Sequence, residues 1–85
     1  MIIEAYDNDG KKYRLGDELK NTISNEKLYI TDLRVDKKDK LESVTVVDKD
    51  LQEDYISGKN LLAYYVLTGE NEPLIYKLRS KHKDD

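Results

Sequence analysis

Hydrophobic and polar positions alternate along much of this chain, and the alternating runs come in pairs separated by turn-forming residues. Ile2 to Tyr6 and Lys12 to Leu15 flank Asp7-Asn8-Asp9-Gly10, while Lys27 to Val35 and Leu41 to Asp48 flank Asp36-Lys37-Lys38-Asp39-Lys40. Leu61 to Thr68 and Leu74 to Arg79 flank Gly69-Glu70-Asn71-Glu72-Pro73. A period of two residues predicts strands, and short polar separators predict antiparallel hairpins. Gly10 supplies the positive φ that a tight reversal requires, and Pro73 stands where no ladder donor is needed.

Leu61, Ala63, Tyr65 and Leu67 share one face of their run, and Leu62, Tyr64 and Val66 the other. A strand apolar on both sides belongs in the interior of a barrel or sandwich, so this run is expected to be the central strand. Leu74, Tyr76 and Leu78 alternate with Ile75, Lys77 and Arg79, which predicts a last strand with one solvated face. Between hairpins, Leu51 to Ser57 reads as a short helix. Asp50 stands as its cap, Glu53 lies three residues later, and Gly58 is placed to end it. Glu18 to Ser24, preceded by Asp17, fits a short helix, a single turn or a loop.

At 85 residues the chain supports one core. It has no cysteine, so neither a disulfide nor a thiolate metal site supplements that core. No run approaches the ~20 apolar residues that cross a bilayer. The start lacks a basic segment followed by an apolar stretch, and a cytoplasmic location is expected. Eighteen acidic against fifteen basic side chains leave a net charge of −3, mixed in sign. This disfavours phosphate gripping, which draws its affinity from a strongly positive field.

Asp7-Asn8-Asp9-Gly10 starts like a calcium loop, but the register fails. With Gly10 as the turn glycine, the first and last ligand positions fall on Ala5 and Gly16, which offer no carboxylate. The same stretch continues as Asp9-Gly10-Lys11-Lys12-Tyr13-Arg14-Leu15-Gly16-Asp17-Glu18-Leu19. This resembles the segment Asn-Gly-Lys-x-Ile-Tyr-x-Gly-Asp-x-Val of the YopX family and other small phage and prophage proteins with SH3-like barrels. The spacing from the turn glycine to the Gly-Asp pair is the same, whereas Asp9 replaces the asparagine and Tyr13 sits one position early. The resemblance implies an SH3-like barrel and a mobile-element origin, and it implies no activity.

The expected fold is therefore mainly β, a small antiparallel SH3-like barrel of about five or six strands with one short helix near residues 51–57. An α+β roll with the helix on one sheet face is the alternative. Residues 1–79 form the expected domain and 80–85 a charged tail.

For chemistry the inventory is thin. His82, the only histidine, lies in that tail, and no cysteine exists to act beside it. No phosphate loop or metal-ligand cluster appears, so neither an enzyme nor a cofactor is expected. Asp48, Asp50, Glu53 and Asp54, joined by Glu70 and Glu72, form a candidate surface for a basic protein partner. Lys77, Arg79, Lys81 and Lys83 alternate toward the end of the chain, and with Tyr76 as a stacking ring they form a candidate nucleic-acid stripe. The primary expectation is a non-enzymatic protein-binding module of phage or mobile-element origin, with inhibition of a host protein as its candidate role. The alternatives are a weak nucleic-acid binder and a subunit that assembles through a strand edge.

Overall fold

The computed structural model describes residues 2–72 and Ile75. The predicted last strand beyond Ile75, with the stripe of Tyr76, Lys77, Arg79, Lys81 and Lys83, lies outside the described residues, as does the tail. The elements in chain order are β1 (Glu4–Tyr6), β2 (Lys12–Arg14), β3 (Asp17–Asn21), β4 (Lys27–Val35), β5 (Leu41–Val47), β6 (Glu53–Ser57), α1 (Gly58–Tyr64) and β7 (Tyr65–Asn71). β1 and β2 form a hairpin of their own, and the other strands form one sheet in the order β6-β5-β4-β3-β7. All of these strand pairs are antiparallel.

Four strands thus run as a meander, and α1 carries the chain from β6 at one edge to β7 at the other. The helix has seven residues, about 10 Å at 1.5 Å per residue. In a flat sheet those two edges would lie about 19 Å apart, at ~4.8 Å per strand. The sheet is therefore curled so that its edges approach each other, giving a small mainly β domain. Leu19, Leu28, Ile30, Leu33, Val44, Val46 and Ile56 fill the concave side. The β1–β2 hairpin adds Ala5 and Tyr13, and α1 adds Leu61.

Chain reversals follow one recurring design. Asp7 Oδ1 accepts from the Asp9 and Lys11 amides at 2.9 and 2.8 Å. Asp36 Oδ1 accepts from Lys38 and Lys40 at 2.8 and 3.0 Å, and Asp48 Oδ1 from Asp50 and Gln52 at 2.8 and 3.0 Å. In each case the residue three positions after the aspartate has positive φ: Gly10 at 82°, Asp39 at 61° and Leu51 at 62°. Asn21 works similarly, its Oδ1 accepting from Ile23 and Ser24.

The first two predicted hairpins agree with the structure in pairing and within a residue or two in extent. The remainder is corrected. Leu61 to Leu67 is not an interior strand: its first half lies in α1, its second half is the edge strand β7, and the central strand is β4. β7 runs on through Gly69 to Asn71 and pairs with β3, where a third hairpin turn was expected. The predicted helix at 51–57 is strand β6, because Asp48 rather than Asp50 organises the preceding turn and Ile56 pairs with Val44 in the ladder. The helix starts where it was expected to stop. Ser57 caps it, its Oγ accepting from the Asn60 amide at 3.2 Å, and Leu61 is its buried residue. The second helix candidate, Glu18 to Ser24 with Asp17 before it, is instead largely β3, Asp17–Asn21.

Gly58 allows α1 to lie against β5, since a Cβ there would meet the Glu42 carbonyl oxygen at 3.0 Å. Gly58→Ala is expected to push the helix outward and to cost about 1–3 kcal/mol, read as a lower urea midpoint at unchanged slope.

Candidate functional site

The acidic residues singled out in the sequence fall into two groups. Asp48 and Asp50 lie in the β5–β6 turn, and Glu53 and Asp54 follow at the start of β6. Asp48 is committed to the turn through its two amide bonds, and Asp54 Oδ1 accepts from the Tyr55 amide at 2.8 Å. Asp50, Glu53 and Asp54 are exposed. Glu70 and Glu72, also exposed, lie at the far end of β7, where the Glu72 amide donates to the Gly16 carbonyl at 2.8 Å.

What connects the two groups is a row of cross-strand neighbours on the convex face. Glu18, Tyr29, Val47 and Glu53 are successive partners across β3, β4, β5 and β6. Tyr29 donates its hydroxyl to Glu18 Oε2 at 2.7 Å, and Thr68 on β7 donates to Oε1 at 2.8 Å. Glu18 is buried, and both of its oxygens are satisfied by hydroxyls. The Tyr29 bond holds its carboxyl below the usual range, helped by Thr68 and the charge of Lys27 and opposed by burial. In return, the hydrogen bond to Glu18, then burial and the Glu18 charge, with smaller effects from Glu72 and Glu70, push the Tyr29 phenol up to about 12. Glu70 and Glu72 are therefore close enough to Tyr29 to be felt electrostatically.

Beside Tyr29 the surface opens into a cavity of about 550 Å³ that reaches Asp48 and Asp50 on one side and Glu26 on the other, with Lys27 and Lys49 interleaved. The structure thus brings Asp48 and Asp50 to a recess and leaves Glu53 and Asp54 along the adjoining edge strand. Sequence reading missed Glu18, Tyr29 and Thr68. Their only local signals were the Gly16-Asp17 pair before Glu18 and the alternation around Tyr29.

The Gly16-Asp17 pair itself is structural. Gly16, at φ 87°, reverses the chain. Asp17 accepts from the Arg14 amide at 2.9 Å and from the Asn71 side chain at 2.8 Å, tying β7 to the corner before β3. Among the described residues no three His, Cys, Asp or Glu side chains converge as a metal site, and no helix is long and apolar enough to cross a membrane. No family model, no curated protein and no solved structure matches this chain.

Tyr29→Phe leaves Glu18 with Thr68 as its hydroxyl partner, and is expected to cost about 1–3 kcal/mol in denaturant unfolding near neutral pH. In an alkaline absorbance titration Tyr29 and Tyr13, the latter raised mainly by burial and then by Asp7 and Asp9, should ionise near 12. Glu18→Gln should return Tyr29 toward its ordinary value while leaving Tyr13 late.

Acid behaviour follows from Glu18 and Asp36. Amide bonds from Lys40 and then Lys38 hold the Asp36 carboxyl low. Folded values below the unfolded ones mean that both carboxylates stabilise the fold above the ordinary carboxylate range. That stability is lost as pH falls through the folded values. Urea midpoints measured between pH 7 and pH 3 should decline, and the decline should be shallower in Glu18→Gln.

Proposed function

We propose that this chain is a non-enzymatic protein-binding module of phage or other mobile-element origin, built on an SH3-like barrel, which engages a basic protein partner through its acidic β5–β6 hairpin. The observation that carries the reading is the presentation of that hairpin. Asp48 commits its carboxylate to holding the turn, which places the exposed Asp50 at the recess beside Tyr29 and Glu53 on the same sheet face, while Asp54, one residue on, faces the other side of the edge strand. A preordered surface loses little side-chain and loop entropy on binding, and a predominantly acidic turn speeds encounter with a basic partner. Glu70 and Glu72 extend the same sign toward the other edge of the sheet. Inhibition of a host protein is the role such a surface serves best, because occupying a basic site requires charge and shape and no chemistry.

Assembly through strand edges is the weaker reading. Glu53 and Asp54 lie on edge strand β6 and Glu70 on edge strand β7, and charged side chains at an edge oppose pairing with another copy.

The test is a pull-down from bacterial lysate followed by titration of the captured partner. A one-to-one complex is expected, and the folded variant Asp50→Asn, Glu53→Gln, Asp54→Asn should bind roughly tenfold more weakly, since each rim charge contributes about 0.2–1 kcal/mol. Equal affinity of variant and parent at low salt would exclude this surface.

A further inference from the structure

At the opposite end of β5 from the acidic turn, one carboxylate oxygen has nothing to bond to. Asp7 is 5% exposed. Its Oδ1 is used by the Asp9 and Lys11 amides, whereas Oδ2 is buried without a hydrogen-bond partner. A desolvated oxygen of this kind is costly, and native structures leave few of them. Asp7 lines a cleft of about 390 Å³, within the range of roughly 300–1,000 Å³ usual for small-ligand sites.

The walls of the cleft differ in character. Asp7, Asn8 and the exposed Glu42 give one side oxygen acceptors and two carboxylates. Leu41, Leu61 and Leu62 give the other side an alkyl surface, with Leu62 55% exposed. Gly58 adds no side chain to fill the space. Lys59, also on the lining, forms no ion pair with Asp7 or Glu42.

These features select the occupant. Two carboxylates exclude an anion. An inorganic cation would find only two charged ligands and a leucine wall, where a calcium ion takes about six to eight oxygens. An alkyl chain ending in an ammonium group matches both sides at once, with methylenes on the leucines and hydrogen donors on the oxygens.

The geometry points to a lysine-binding cleft. The side chain of a lysine presented by a partner protein enters between the β1–β2 turn and α1, pairs with the exposed Glu42, and reaches Asp7 Oδ2 through a small shift of the β1–β2 turn, since that oxygen has no exposed surface of its own. The site is separate from the 48–54 hairpin and stands or falls without it.

The test is a titration of the ¹⁵N-labelled chain with Nα-acetyl-lysine N-methylamide, followed by amide chemical shifts. Saturable shifts are expected at Asn8, Glu42, Gly58 and Lys59. The Nε-acetylated analogue, which keeps the stem and loses the charge, should bind at least tenfold more weakly. Asp7→Asn keeps an oxygen for the turn, as Asn21 does in its own turn, and should also lose about tenfold or more. Glu42→Gln should lose several-fold and serves as the measurement if Asp7→Asn does not fold. The proposal is overturned by shifts that do not saturate, by equal binding of the acetylated analogue, or by unchanged affinity in the folded variants. Calcium chloride reproducing the same shifts at lower concentration would overturn it as well.

Discussion

A carboxylate oxygen shared between two main-chain amides governs how this chain reverses direction. The arrangement occurs at Asp7, Asp36 and Asp48, with the asparagine amide of Asn21 doing similar work. Each of these side chains fixes the length of a loop, and loop length fixes register. Register then decides which residues face inward, because a slip by one would turn every inward side chain to the surface. The pairings Ala5 with Tyr13, Leu33 with Val44 and Val44 with Ile56 put apolar residues opposite one another on the core side. Much of the acidic composition is therefore structural. Asp7, Asp17, Glu18, Asp36 and Asp48 are bound to amides or hydroxyls that hold turns and strands in place.

The parts of the fold readable from sequence are those whose information is local. Asp-Asn-Asp-Gly and the charged segment at 36–40 announce their hairpins because turn chemistry lies within a few residues. The run from Leu61 to Leu67 failed for the opposite reason. An unbroken apolar stretch has neither a period of two nor one of 3.6, so helix and strand fit it equally well. What divides it is tertiary. Leu61 is buried against the sheet, and the Tyr64 carbonyl is held by the Thr22 amide at 2.7 Å and hydroxyl at 3.1 Å, which stops the helix and starts β7. The Asp50, Glu53 and Gly58 pattern misled because capping residues also suit hairpin turns. Ser57, which does cap the helix, was hidden inside the predicted one.

The candidate surface divides in the same way. Asp50 and Glu53 are near in sequence and share the convex side, whereas alternation along β6 turns Asp54 to the other face. The Glu18, Tyr29 and Thr68 network joins three strands, and the Asp7 cleft joins a turn, a strand and a helix, so neither has a signature in any one segment. Both emerge only after the sheet is curled. Their common feature is a carboxylate under the surface, stabilised by hydroxyls in one case and with one oxygen lacking a partner in the other.

The closing strand also sets the timing of maturation. Glu18 and Thr68 are separated by 50 residues along the chain, and β3 pairs on one side only with β7. A ribosome emits β3 before β7, and that strand has one flank unsatisfied until β7 has emerged. The meander can form during synthesis, whereas completion of the sheet must wait for β7.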